Sequence, residues 1–271
     1  MDNEGGMSIP PLILGHRGAS ALAPENTLAA FSRAISDGAD GVEFDVRLAR
    51  DGVAVVIHDA SLKRTGLINR PVSDLTAAEL GEVDVGSWFA ERAQNPKQSF
   101  SGEKLPTLPR VFELFSAHSG LLYVEMKCEP DEGTTLAAEV VRLTLESEMV
   151  DRVVVESFDH SAIAAVKRID SRIRTAALFE PKLTRPISTI RRLKIVDTTL
   201  AVAADEVALH HTLAADRVVK KARQAGLEVV VWTVEDPIWI KSARALGIKA
   251  LISNDPGFML RHRNEAQTLV S

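Results

Sequence analysis

Gly41-Val42-Glu43-Phe44-Asp45-Val46-Arg47-Leu48 alternates: Glu43 and Asp45 fall on one side, and Val42, Phe44 and Val46 on the other. That is the period of a strand with one polar and one apolar face. Upstream, Leu12-Ile13-Leu14 ends in Gly15-His16-Arg17-Gly18, and downstream the apolar run 53–57 ends in His58-Asp59. Chemistry-bearing residues thus collect at the ends of short apolar runs, where a parallel barrel gathers its functional groups. Strands are expected at 12–15, 41–48, 121–127, 152–157, 175–179, 199–203, 227–233 and 250–253, the eight of a TIM barrel. Amphipathic stretches at 27–36, 134–148, 161–169, 214–225 and 238–246 separate them at helical spacing, with Gly38, Gly226 and Gly247 placed as C-caps. The expected fold is an α/β TIM (β/α)8 barrel formed by residues 1–271 as one domain. An open doubly wound sheet is the alternative, but no Gly-rich dinucleotide fingerprint follows the first run.

The βα rhythm breaks after His58-Asp59. Residues 60–106 contain Asp74-Leu75-Thr76, Trp88 and Phe89 without a clear repeat, and read as a small subdomain inserted over the barrel mouth, with 93–102 expected to be mobile. At 271 residues, 45% hydrophobic and 25% charged, the chain has a globular composition. A net charge of -5 gives no electrostatic footprint for nucleic acid or for an anionic membrane, so phosphate binding has to be local. The acidic opening lacks the pattern of a secretory signal, and no run reaches the length of a membrane span, so no stable membrane anchor and a cytoplasmic location are expected. Cys128 is the single cysteine; it suits a reducing compartment and is expected to pack as a small core residue.

Two histidines, an arginine and two alternate carboxylates are the parts of metal-assisted phosphodiester cleavage. Gly15 and Gly18 let the backbone turn tightly beside a phosphate, and the Arg17 fork suits two phosphoryl oxygens. Glu25 or Asn26 is expected to cap the following helix or to hold His16. Glu43 and Asp45 repel one another unless a cation sits between them, and Glu125-Met126-Lys127 repeats the device: Glu125 as a third ligand, Lys127 toward phosphate. An internal ion-pair network is the other reading of that spacing. Oxygen ligands without a Cys cluster favour one divalent cation, Mg2+ or Ca2+, over Zn2+. His16 and His58 are the expected acid–base pair. His118 and His262 read as surface residues, and His160 sits beside Asp159, a helix cap. Trp232, with Trp88 and Phe89, is placed on the alcohol side of a substrate, with core packing as the alternative for each.

Together, His16-Arg17-Gly18, Pro24-Glu25-Asn26-Thr27, Glu43-Phe44-Asp45-Val46, Asp51-Gly52, His58-Asp59, Leu105-Pro106-Thr107-Leu108, Glu125-Met126-Lys127, Ser157-Phe158, Val231-Trp232-Thr233-Val234 and Ser253-Asn254-Asp255-Pro256 resemble the signature of the glycerophosphodiester phosphodiesterase family. The resemblance spans nearly the whole chain. It implies a TIM barrel with an insert after the second strand and a cation on Glu43, Asp45 and Glu125. It also implies His16 and His58 as acid and base, and Arg17 and Lys127 on phosphate. The expected reaction is hydrolysis of glycerophosphodiesters to glycerol 3-phosphate and an alcohol. Two positions depart from the pattern: Glu235, where Asn is usual, and Asn254, where Thr is usual. Both are expected to affect substrate shape and not proton chemistry. A lysophospholipase D or sphingomyelinase-D-like enzyme, and a barrel that binds without turnover, are the competing readings.

Overall fold

The computed structural model describes residues 9–89, 99–181 and 189–268. Eight parallel strands form the barrel: β1 (Leu12–His16), β2 (Gly41–Leu48), β4 (Leu121–Met126), β5 (Val153–Ser157), β6 (Arg174–Phe179), β7 (Glu206–His210), β8 (Glu228–Trp232) and β9 (Ala250–Ser253). Pairing of β1 with both β2 and β9 closes the ring, so the expected TIM barrel is the observed fold. A short ninth strand, β3 (Ala54–Val56), runs antiparallel along β2 and delivers His58 to the same end of the barrel.

Around the ring lie α1 (Leu28–Ser36), α3 (Leu108–Phe115), α4 (Gly133–Glu146), α5 (His160–Ile169), α6 (Thr189–Ala201), α7 (Asp216–Gln224), α8 (Ile238–Leu246) and α9 (Pro256–Thr268); the one-turn α2 (Ala77–Leu80) lies in the insert. Val42, Phe44 and Val46 point outward into a cluster with Phe31 of α1 and Phe112 and Phe115 of α3. Phe31 sits against Phe44 and Phe115 at ring-centroid distances of 5.4 and 6.3 Å. The outward apolar face therefore anchors β2, which leaves Glu43 and Asp45 on its inner face. Leu14, Val154, Ala208 and Val230 fill the barrel interior below them, where the Tyr123 hydroxyl donates to Glu206.

One strand lies elsewhere than expected. Residues 199–203 continue α6 and its exit: Thr199 Oγ1 donates to the Ile195 carbonyl, and Ile195, Val196 and Thr199 are buried together on one helical face. The β-branched pair satisfied both periods, and helical packing prevails. Ala203 turns the chain at φ 54°, and β7 follows, with Glu206 facing the barrel floor. Gly38, Gly226 and Gly247 all take positive φ after their helices.

Between β3 and α3, the described residues build a core of their own from Leu62, Val72, Leu75, Leu80, Val83 and Val85, packed on Val55 and Ile57. Trp88 is buried there and donates Nε1–H to the Val85 carbonyl. Residues 93–98 of the stretch expected to be mobile lie outside the described residues. Cys128 is half-buried against the main core, and burial pushes its thiol up to about 11. Among the described residues no helix is long and apolar enough to cross a membrane.

Candidate active site

The pairing register of β2 and β4 sets Asp45 directly opposite Glu125. Glu43, Asp45 and Glu125 are all buried, and each offers an oxygen within 4.8 Å of the other two; among the described residues these three form a group able to hold a metal ion. Asn26 braces the group from the turn before α1, where it adopts φ 59° and Thr27 takes the N-cap. Its Nδ2–H donates to Asp45 Oδ2 at 2.8 Å, and the Asp45 N–H donates back to its Oδ1 at 3.2 Å.

Burial and the neighbouring Asp45 push Glu125 up to about 8; burial, Asp45 and Glu125 likewise raise Glu43 well above the carboxylate range. Burial acts on Asp45 in the same direction, but Arg17 and Lys127 outweigh it and hold Asp45 below its ordinary value. Lys127 Nζ approaches Glu125 Oε1 to 2.6 Å and Asp45 Oδ1 to 3.3 Å. Three converging buried carboxylates, two of them beside Lys127, offer oxygens that fit a hard divalent cation.

Arg17 adopts φ 52° between two glycines that permit the turn. A Cβ on Gly15 would fall 2.7 Å from the Gly18 carbonyl oxygen, and Gly18, at φ 82°, packs on the Ala30 backbone. In this conformation the Arg17 N–H donates to Glu43 Oε2 at 3.1 Å, Nη1 donates to Glu25 Oε1 at 2.8 Å, and Nε lies 3.1 Å from Asp45 Oδ2. Strained backbone thus aims a cation at the carboxylate group.

His58 Nδ1 lies 2.7 Å from Asp59 Oδ1. Arg64 holds that carboxylate with two hydrogen bonds and Glu25 with two more, so one insert residue links the partners of His58 and Arg17. His16 Nδ1 lies 2.6 Å from Asn254 Oδ1, and its Nε2 is 3.8 Å from Glu43 Oε2. Burial and the Arg17 charge lower His16 to about 4, and burial lowers His58 as well.

One expectation is corrected here. Neither Glu25 nor Asn26 caps α1 or holds His16: Thr27 is the cap, Glu25 binds the two arginines, and Asn26 binds Asp45. Asn254 Oδ1 lies against His16 Nδ1, and Glu235 Oε1 accepts the Asn254 N–H at 2.9 Å.

His16, Arg17, Glu43, His58, Glu125, Lys127 and Trp232 line one cavity of about 200 Å³, with Asp45 buried beneath it. Trp88 and Phe89 face a second groove of about 420 Å³ that shares His16 and Arg17 but not Trp232. His160 turns its ring onto Phe179, with Nε2 at the Leu178 carbonyl, while Asp159 caps α5. His118 is exposed, and His262 is half-buried at the Phe258 carbonyl. The sequence reading did not single out Glu156 or Arg64, and it did not foresee the contact of Asn254 with His16. Glu156 stands beside Glu125 in register, buried with Oε2 unpartnered among the described residues; its signal was its inward period on β5.

The profile of the glycerophosphoryl diester phosphodiesterase family matches residues 16–258. A glycerophosphodiester phosphodiesterase of Caldanaerobacter subterraneus subsp. tengcongensis is 30% identical over 90% of this chain and 94% of its own. A phosphodiesterase of Oleispira antarctica, solved in complex with the product sn-glycerol-3-phosphate, superposes with a TM-score of 0.82 at 25% identity, covering 94% of this chain and 97% of that one. A protein of Silicibacter pomeroyi shares the fold with a TM-score of 0.83 at 24% identity over 97% of this chain and 95% of its own. With the profile spanning most of the barrel, the chain belongs to the glycerophosphoryl diester phosphodiesterase family.

Proposed function

We propose that this chain hydrolyses glycerophosphodiesters to glycerol 3-phosphate and an alcohol, using a divalent cation at Glu43, Asp45 and Glu125 and the histidines His16 and His58 as acid and base. The observation that carries the reading is one cavity bordered by both histidines, by Arg17 and Lys127, and by two of the three converging carboxylates. A cation held there supplies positive charge against the phosphodiester anion. Arg17 and Lys127 add fixed charge for the phosphoryl oxygens, with the Arg17 fork oriented by Glu25. One histidine takes the proton from the nucleophile, and the other gives a proton to the leaving alkoxide. The nucleophile is the substrate's own glycerol 2-hydroxyl, through a cyclic phosphate that water then opens, or water directly. Trp232 lines the cavity, forms an edge contact with Phe158, and has a buried Nε1–H without a partner among the described residues, which suits a glycerol hydroxyl.

The reading extends to residues 60–106 as a subdomain over the barrel mouth, to Mg2+ or Ca2+ as the cation, and to a cytoplasmic setting, the last supported by the single Cys128. The test is a panel of glycerophosphocholine, glycerophosphoethanolamine, glycerophosphoglycerol and lysophosphatidylcholine, each assayed with Mg2+, Ca2+ and Mn2+. Release of glycerol 3-phosphate from the deacylated diesters, stopped by excess chelator, is expected. Turnover undiminished in chelator refutes the cation site, and turnover of the lysolipid alone refutes the substrate class.

A further inference from the structure

We infer that Asn254 is a positioning residue that fixes the tautomer of His16, with the hydrogen on Nδ1 and a bare Nε2 turned toward the cavity. A neutral His16 ring is then set to accept a proton at Nε2. The inference rests on the proposed reaction for the role of that nitrogen, but not for the tautomer.

Asn254 follows β9 directly, and β9 pairs with β1, so two residues far apart in sequence meet at the barrel seam. The amide oxygen of Asn254 lies 2.6 Å from His16 Nδ1, and a carbonyl oxygen has only acceptor capacity. His16 Nδ1 therefore donates. The Ser20 hydroxyl donates to the same oxygen at 2.9 Å, so two donors converge on it. On a neutral ring the hydrogen at Nδ1 leaves the Nε2 lone pair free, and Nε2 is the nitrogen facing the Glu43 side at 3.8 Å, beyond hydrogen-bond reach. A ring held in this way accepts a proton at Nε2 and has none to give there.

The Asn254 backbone is itself held at its N–H and at its carbonyl. Its N–H donates to Glu235 Oε1 at 2.9 Å, the Ser253 hydroxyl donates to Glu235 Oε2 at 3.2 Å, and its carbonyl accepts the Ala21 N–H at 3.0 Å. The exits of β8, β9 and β1 are thus tied together behind His16. Glu235 and Asn254 are also the two positions at which the sequence departs from the resembled pattern, and in the fold they are in contact. The departures act as one unit: a carboxylate that anchors the backbone of an amide, and an amide that orients a ring.

The two histidines differ in what faces Nδ1. His16 has a neutral amide, whereas His58 has the Asp59 carboxylate, fixed by Arg64. A carboxylate at Nδ1 stabilises a ring carrying a second proton, and an amide does so less.

The test reads the imidazole nitrogens of the 15N-labelled full chain at pH 8, with the His16→Ala spectrum used for assignment. The wild-type spectrum is expected to show His16 with Nδ1 protonated and Nε2 bare. Asn254→Leu removes the acceptor; the Nδ1–H signature is expected to disappear and kcat on glycerophosphocholine to fall about 10- to 100-fold, with little change in KM. Asn254→Asp keeps an acceptor at the same place and is expected to retain the signature and recover most of kcat. A bare Nδ1 in an active wild-type enzyme overturns the inference, because the amide then donates and the hydrogen of the neutral ring sits on Nε2. Equal loss of kcat in the Leu and Asp variants also overturns it, since the residue then only supports the loop. A wild-type enzyme idle on every glycerophosphodiester overturns the proposed reaction and that role with it, while the spectrum still decides the tautomer.

Discussion

Adding a divalent cation is expected to stabilise the protein much more at pH 8 than at pH 6. Burial and Asp45 push Glu125 up to about 8, and the same causes with Glu125 raise Glu43. In the unfolded chain these glutamates ionise at about 4.3. From that value up to about 8 the cation-free folded protein holds a proton that the unfolded chain has released. Stability from these groups is therefore present at low pH and lost as pH rises through the folded-state value. Each proton so held changes stability by about 1.4 kcal/mol per pH unit, so one proton between pH 6 and 8 amounts to roughly 2 kcal/mol. A cation must displace that proton, which strengthens its apparent affinity by about tenfold per pH unit for each proton displaced. At a concentration 100-fold above its Kd it adds about 2.7 kcal/mol, or roughly 5 to 10 °C in Tm for a chain of this length. Calorimetric scans at pH 6, 7 and 8, with Mg2+ or Ca2+ and with chelator, measure the difference directly, because groups remote from the site cancel between the two scans. A cation-induced rise of equal size at pH 6 and pH 8, or no rise at all, would refute the account of these carboxylates.

Asp59→Asn replaces the carboxylate that His58 Nδ1 meets at 2.7 Å with a neutral amide; kcat is expected to fall about 10- to 100-fold with KM little changed, read by steady-state kinetics. Arg17→Lys cannot reach Glu25 and Asp45 together with one planar fork, and loss of a charge-assisted hydrogen bond predicts a fall in kcat/KM of about tenfold or more. Phe31→Ala empties a fully buried position against Phe44 and Phe115; it is expected to cost about 3–5 kcal/mol in a denaturant titration, with activity per folded molecule preserved.

The carboxylate pair was legible because strand period is strict. Glu43 and Asp45 two apart must share a face, and the apolar Val42, Phe44 and Val46 fix which face turns inward. Glu125 and Lys127 were legible by the same rule on β4, although only the strand register sets Glu125 opposite Asp45. The Asn254 contact with His16 was not legible, because it depends on closure of the ring between β1 and β9 across nearly the whole chain. Arg64 was missed for a related reason: it lies in the insert, where no period assigns a face, and it finds Glu25 and Asp59 only when the insert folds back over β1 and β3. The strand expected at 199–203 failed because Thr198-Thr199 and its apolar neighbours satisfy both periods, and the decision lay in α6 packing its Ile195 and Val196 face against the barrel.

The central claim is that His16 and His58 move protons at a phosphodiester bound beside Glu43, Asp45 and Glu125. The most direct measurement follows glycerophosphocholine by 31P NMR with the full-length wild type, His16→Ala and His58→Ala at equal folded concentration in Mg2+ or Ca2+. The account predicts conversion to glycerol 3-phosphate by the wild type and none by either variant. Wild-type turnover in either variant, or no turnover by the wild type with any cation, would contradict it.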